Sequence, residues 1–168
     1  MLLLLLIASL ILTPTGLRIS LNIANVVTSQ HIKFHTISGT VLGPLNIDGL
    51  EYQHKNLDIK INKLSLDWSF SDFIKKKINI NKLAADGVTI THNKSNNIIN
   101  IPKIPQYLTI KKIKIHNIEF INDNRQIIKP INIEGSINFN PNTVSSSLLV
   151  HSIHPTPWHS SIKLSGTP

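Results

Sequence analysis

The stretch ININKLAADGVTI, residues 78–90, decides the fold, and LTIKKIKIHNIEF, residues 108–120, is its near copy. In the first, apolar or small residues fall at Ile78, Ile80, Leu83, Ala85, Val88 and Ile90, and in the second at Leu108, Ile110, Ile113, Ile115, Ile118 and Phe120. The spacing is two, three, two, three, two in both. A step of two keeps side chains on one face of a strand, because successive residues alternate. A step of three reverses that parity, so each one needs a bulge, bend or tight turn to return the next apolar residue to the buried face. The bends are expected at Asn81-Lys82, Asp86-Gly87, Lys111-Lys112 and His116-Asn117, polar pairs that include turn-forming Asn, Asp and Gly. Both copies therefore predict bent strands with one apolar side.

The motif spreads beyond these two. Leu45, Ile47, Leu50 and Tyr52 repeat its latter part around Asp48-Gly49, and Leu57, Ile59, Ile61, Leu64, Leu66 and Trp68 give another version around Asn62-Lys63. A degenerate copy follows at Ile131, Ile133, Ile137 and Phe139 around Glu134-Gly135. An ordinary antiparallel meander would also alternate, but here the phase flip recurs in step with the apolar positions, as in stacked units that cannot bury their apolar face alone.

Composition narrows the partners. Hydrophobic residues make up 41% of the 168 but aromatics only 5%, so whatever is buried is aliphatic. Seventeen Lys and Arg against nine acidic residues leave a net charge of +8, a balance compatible with nucleic acid or anionic lipid. The lysines are spread over polar strand positions, only Lys75, Lys76 and Lys77 form a run, and no aromatic-plus-basic motif accompanies them, so no nucleic-acid partner is expected. The absence of cysteine removes disulfides, thiolate metal sites and a cysteine nucleophile together.

At the amino terminus, Leu2 to Leu12 is apolar except for Ser9, and no charge appears before Arg18. Residues 1–17 are read as a transmembrane anchor. As a helix, Leu2 to Leu17 would span roughly 24 Å, short of a ~30 Å hydrocarbon core. The alternative is a cleaved signal peptide. Against cleavage, no basic residue precedes the run and the nearest small-residue site is Thr13-Pro14-Thr15. Pro14 and Gly16 are expected to end the helix. Residues 18–30 then read as a short amphipathic segment at the membrane surface or as a first strand. From residue 31 to 168 the pattern is strand-like: Ile32 and Phe34 alternate with His31, Lys33 and His35, and Ser71 to Lys77 looks like one helical turn capped by Ser71. Asn93 to Asn97 is a polar loop, Pro102 and Pro105 kink a connector, and Pro130 opens a strand. Past Asn140, strands are expected at Val144 to Ile153 and Ser160 to Leu164, with no element to cap the last edge, so this domain is expected to be truncated at its carboxy terminus.

No constellation for catalysis emerges. His31 and His35 share a strand face but lie about 13 Å apart, too far for one ion, and His151, His154 and His159 have no neighbouring carboxylate in sequence. Most of the acidic residues sit at bends or outward strand positions, and no glycine-rich phosphate loop or nucleophile elbow is present. No enzyme activity, metal or cofactor is expected.

The leucine-rich start, Thr13-Pro14-Thr15-Gly16-Leu17, Ser38-Gly39, Gly43-Pro44-Leu45 and Ile47-Asp48-Gly49-Leu50-Glu51-Tyr52 together resemble the beginning of the TamB family, within the wider AsmA-like group. Leu64 to Trp68 and Leu83 to Ile90, with Asp86-Gly87-Val88, resemble that family's early strands. The likeness is good over residues 1 to 90 and thematic beyond. It implies a mostly β fold: an amino-terminal membrane-anchor helix in the bacterial inner membrane, followed in the periplasm by a curled, antiparallel, repetitive sheet with an apolar groove. It also implies a conduit for phospholipid acyl chains and outer-membrane protein assembly, working with inner-membrane lipid and a TamA-like barrel partner reached through a carboxy-terminal region. Ile78, Ile80, Leu83, Val88, Ile90, Leu108, Ile110, Ile113, Ile115, Ile118 and Phe120 are the candidate groove residues. A self-contained anchored β-jellyroll, like LptC of the lipopolysaccharide bridge, or an adhesion domain, is the alternative. An open edge after Leu164 would favour the conduit, and closure of the last strand on the first would favour the module.

If Leu2 to Leu12 stays attached, the chain will remain with membranes through alkaline carbonate and keep residues before Thr15. Mature protein that begins after Thr15 and washes off would identify a cleaved leader instead.

Overall fold

The steps of three are met by a single sheet whose strands bend together. The computed structural model describes residues 13–19, 32–40, 42–54, 57–69, 71, 72, 75, 77–92, 107–122, 125–152 and 158–166. Within them run β1 (Ile32–Lys33), β2 (Thr36–Gly39), β3 (Leu45–His54), β4 (Leu57–Trp68), β5 (Ile78–His92), β6 (Leu108–Asn122), β7 (Arg125–Asn140), β8 (Thr143–Ser152) and β9 (Trp158–Gly166). From β3 to β9 the strands pair in chain order, and β1 and β2 share the outer edge of β3. No pairing among the described strands joins β9 back to β1 or β2, so the sheet curls but stays open.

The phase flips are absorbed where the sequence places them. Ile47 to Leu50 on β3, Ile61 to Leu64 on β4, Ala85 to Val88 on β5 and Ile115 to Ile118 on β6 all make their step of three at one level of the sheet. Because neighbours bend at the same level, the pairing resumes in register on the far side: Ile47 faces Leu64 and Leu50 faces Ile61 across one bend. Backbone conformation does this work. Gly49 and Gly87 have φ of 63° and 64°, and Asn117 on β6 has φ 55°, the left-handed region open to glycine and tolerated by asparagine. Gly49 and Gly87 both lie opposite Asn62. A Cβ at residue 87 would run into the Asn62 carboxamide, and one at residue 49 into the His35 ring. The second bend, Asn81-Lys82 beside Lys111-Lys112, occurs only on β5 and β6. Their outer neighbours do not share it, and the register slips there, between Asp67 and Trp68 on β4 and between Ile110 and Ile113 against β7. Pro130 sits inside β7, where Ile118 faces Ile131 but Phe120 faces Ile128, so it occupies a slip in the ladder instead of opening the strand.

Three expectations are corrected. The sheet is not antiparallel throughout: β5 and β6, the two copies, run parallel and in register, Ile78 beside Leu108 through His92 beside Asn122. A parallel neighbour needs a crossover of a dozen or more residues, and the chain between His92 and Leu108 is long enough to supply it. Secondly, Pro14 starts a helical segment, and Gly16 lies inside that segment instead of ending a helix. Residues 14–19 are helical, and Thr13 caps them by accepting from the Gly16 N–H through Oγ1 at 3.1 Å and from the Leu17 N–H through its carbonyl at 3.1 Å. A missing N–H is harmless at the first helical position, which is why proline fits there. Thirdly, Ser71 lies within the helical turn it was expected to cap, and Ser69 precedes it with its carbonyl accepting from Asp72 N–H at 3.2 Å.

The anchor run Leu2 to Leu12, most of the segment 18–30, the Asn93 loop and the Pro102–Pro105 connector lie outside the described residues. Among the described residues no helix is long and apolar enough to cross a membrane. The strands expected past Asn140 appear as β8 and β9.

Gly87→Ala should destabilise the fold by at least the ~1–2 kcal/mol of a left-handed non-glycine residue, read as a lowered urea midpoint. The loss should shrink when Asn62→Gly removes the opposing carboxamide, whereas Asn117→Gly should change the midpoint little.

Candidate functional site

Aligned bends make one continuous apolar face. Across the sheet, a row runs Ile37, Ile47, Leu64, Ala85, Ile115, Ile133, Val150. The two repeats sit at its centre, each apolar position of one beside its counterpart in the other: Ile80 with Ile110, Leu83 with Ile113, Val88 with Ile118, Ile90 with Phe120. Of the eleven candidates, Val88, Ile110, Ile113 and Ile118 are buried at 4–8% exposure, while Ile78, Ile80, Leu83, Ile90, Leu108, Ile115 and Phe120 are half-buried.

Two aliphatic clusters line the face. Leu17 from the amino-terminal helical segment inserts among Ile37, Leu45 and Ile47, with Phe34, Leu66 and Trp68 around them. Ala85, Val88 and Ile118 form the second, with Ile61, Ile90, Phe120 and Ile131 packed against it. Among the described residues no large side chain is sealed completely. A single layer lacking a second layer to cover it buries its apolar side only partly, by curling. Towards β9 the face loses its cover: Trp158, Ile162 and Leu164 share the inward parity of Ser152, Leu148 and Ser146 yet are 44–60% exposed.

The opposite face is polar and partly covered. Asn79, Thr89, Lys114 and Glu119, between the apolar positions of the two copies, are half-buried, because neighbouring strands pair their polar side chains. Asn117 Nδ2 donates to Asp86 Oδ1 at 2.9 Å across the parallel pair, and Lys111 Nζ to Asn81 Oδ1 at 2.9 Å. Glu134 receives Lys114 Nζ at 3.3 Å, with His116 Nε2 at 3.7 Å. The Lys114 hydrogen bond and charge, seconded by His116, hold the Glu134 carboxyl below its usual range against a smaller opposing effect of desolvation.

One residue escaped the sequence reading. Asn132 is buried at 7% exposure, accepts the Asn117 backbone N–H through Oδ1 at 2.9 Å and sets its Nδ2 3.3 Å from His151 Nε2. It plugs the bulge that the left-handed Asn117 opens on β6. An asparagine amid isoleucines is a visible signal, but its partner becomes apparent only with the β6–β7 register. Ile61, Leu64, Ile131 and Ile133 also join the face, although the candidate set was confined to the two clearest copies. His151 and His159 stack across β8 and β9 with centroids 5.7 Å apart. Among the described residues no three metal-ligating side chains group together.

Such a face, aliphatic, one-sided and continuous over seven strands, offers no directional chemistry and suits a ligand recognised by apolarity alone. The family model for the TamB N-terminal domain matches residues 3–145. The chain belongs to the TamB family. In this TamB amino-terminal domain the match runs from the apolar leader through β7 and into the start of β8, so the bend row and both repeats fall inside it. No similar curated protein and no similar solved structure is found.

A depressed carboxyl contributes stability above its unfolded pKa and loses it as pH falls through the folded value. Stability should therefore drop on acidification below the ordinary carboxylate value of 4.5. Urea midpoints of Glu134→Gln should fall less steeply than those of the parent across that interval and run parallel to them near neutrality.

Proposed function

We propose that the open apolar face is a trough for phospholipid acyl chains, and that this domain forms the membrane-proximal start of a conduit between the bacterial inner membrane and the outer membrane. Leu2 to Leu12 holds it in the inner membrane, the sheet stands in the periplasm, and a TamA-like barrel is engaged through a carboxy-terminal region of the kind the family carries. The observation that supports this most is the combination of an unbroken aliphatic row with an unclosed sheet. A jellyroll module would close its sheet, whereas among the described strands β9 pairs with β8 and not with β1 or β2, and Ile162 and Leu164 are exposed. The physics is permissive: burying acyl chain gains ~0.8 kcal/mol per methylene and asks for no specific polar partner, so chains can slide along the row while headgroups stay wet. The role needs no catalytic group, metal or cofactor.

Photo-crosslinking probes at Ile80, Val88, Ile113 and Ile118 should capture phospholipid in membranes carrying the full chain, and probes at Lys60 and Lys114 should not. Replacing half-buried Ile80 or Ile90 with Asp should cut capture at the other positions several-fold while the protein stays in the membrane. Probes that find only neighbouring protein would show the face to be packed core.

A further inference from the structure

We infer that the half of the sheet where β5 and β6 begin is a docking surface for anionic phospholipid headgroups, so that the mouth of the trough at Ile78 and Leu108 rests on the membrane. This rests on the anchoring reading above and concerns how the anchored sheet is oriented.

The row from Ile47 through Leu64, Ala85, Ile115 and Ile133 to Val150 divides the sheet across its strands. On one side lie Lys82, Lys111, Lys112, Lys114 and Lys163, with Lys75 and Lys77 in the connection that enters β5 at that end. The described carboxylates on this side are Asp67, Asp72 and Glu134. Two of these are engaged locally, Asp72 by Asn79 Nδ2 at 2.8 Å and Glu134 by Lys114. On the other side the charges balance: Lys33, Lys60, Lys63, Arg125 and Lys129 stand against Asp48, Glu51, Asp58, Asp86 and Glu119. The charge of the described sheet is thus uneven along its strands, positive at the repeat entrance and near neutral at the far end.

Fold stability does not account for the positive end. Lys82, Lys111 and Lys112 occupy the second bend, all exposed, and Lys111 spends its ammonium on a neutral amide. Tyr107, 41% exposed, stands at the same end under Lys77, 5.8 Å from the ring centroid, and an amphipathic ring beside cations is the chemistry that settles at headgroup level. The tether brings this end within reach of a bilayer. Leu17 is buried against the sheet, and the five residues back to Leu12 extend no more than ~18 Å. A sheet held that close turns its cationic half to an anionic surface and its charge-balanced half away. Each lysine within a Debye length, about 8–10 Å, multiplies that preference roughly fivefold. Lysines scattered on both faces of the bend, with no stacking aromatics between them, fit a diffuse anionic surface better than a nucleic-acid strand.

The cysteine-free chain makes the test direct. Full-length chain carrying a fluorophore at Asn142→Cys, in the β7–β8 turn at the cationic end, or at Gln53→Cys, at the other end, is reconstituted into vesicles containing a headgroup-nitroxide quencher. One set is phosphatidylcholine, the other phosphatidylcholine mixed with phosphatidylglycerol. In the mixed vesicles position 142 should be quenched several times more than position 53, with the difference disappearing in phosphatidylcholine alone or at high salt. Lys82→Glu, Lys111→Glu and Lys112→Glu together should abolish it, an orientation shift on the order of a hundredfold, and Lys60→Glu with Lys63→Glu should not. If the triple reversal unfolds, Lys111→Gln with Lys112→Gln should still reduce the difference. Retention of the chain with equal quenching at both positions, or with quenching indifferent to phosphatidylglycerol, overturns this inference alone. Release from both vesicle types by carbonate overturns the anchoring reading and this one with it. Duplex RNA that binds the chain without lipid and pulls position 142 off the surface reassigns the face to nucleic acid.

Discussion

Everything in this sheet depends on keeping aliphatic side chains on one side of a strand whose sequence twice changes parity. A flat strand would send Leu83 and Ala85 to the face opposite Ile78, Ile80, Val88 and Ile90, and the apolar surface would be split between two sides with water on both. Left-handed backbone at Gly49, Gly87 and Asn117 prevents this, and its effect is cooperative because the bends lie side by side. A lone bulge disrupts its ladder. When Gly49 and Gly87 both lie opposite Asn62, the two bends share one opposing residue and the ladders recover at once on either side. Where alignment ends, as at the second bend of β5 and β6, the register slips against β4 and β7.

The repeats pair parallel. Their steps of two, three, two, three, two read the same in either direction, so shared bends alone do not set the direction; parallel pairing in register places each residue of one copy beside its counterpart in the other. The polar groups follow: Lys111 meets Asn81, its equivalent on the adjacent copy, and Asn117, the equivalent of Gly87, meets the neighbouring Asp86. Where β7 lacks the bend, Asn132 fills the gap that Asn117 creates. A buried asparagine is tolerated there because its amide finds partners for both ends, as a buried polar group must.

A sheet built this way is lined with aliphatic residues but not sealed. Curling buries the middle of the row at Val88, Ile110, Ile113 and Ile118 and leaves Trp158, Ile162 and Leu164 bare at the β9 edge. Apolar surface left uncovered at an edge is ordinarily a liability, and in the proposed conduit it would line the path. The charge pattern runs along the strands, at right angles to the row, so apolar capture and electrostatic orientation do not compete for the same residues.

The sequence by itself determined the strand class, the membership of the apolar face and the positions of the bends. Periodicity is a local property, and the residues that break it, Asp86-Gly87 and His116-Asn117, carry their turn chemistry with them. It also carried the family, through the apolar leader and the early strand motifs. It did not determine the direction of β6 beside β5, the capping of residues 14–19 by Thr13, or the burial of Asn132. Those depend on which strand becomes a neighbour, and a run such as Leu108 to Phe120 has the same periodicity read parallel or antiparallel. Tertiary structure decided between them by setting each residue of one copy beside its counterpart in the other, and it likewise decided that Lys82 and Lys111, remote in sequence, lie at one end of the sheet. Pairing energy and charge proximity are sums over partners, and the partners are fixed only when the strands have found each other.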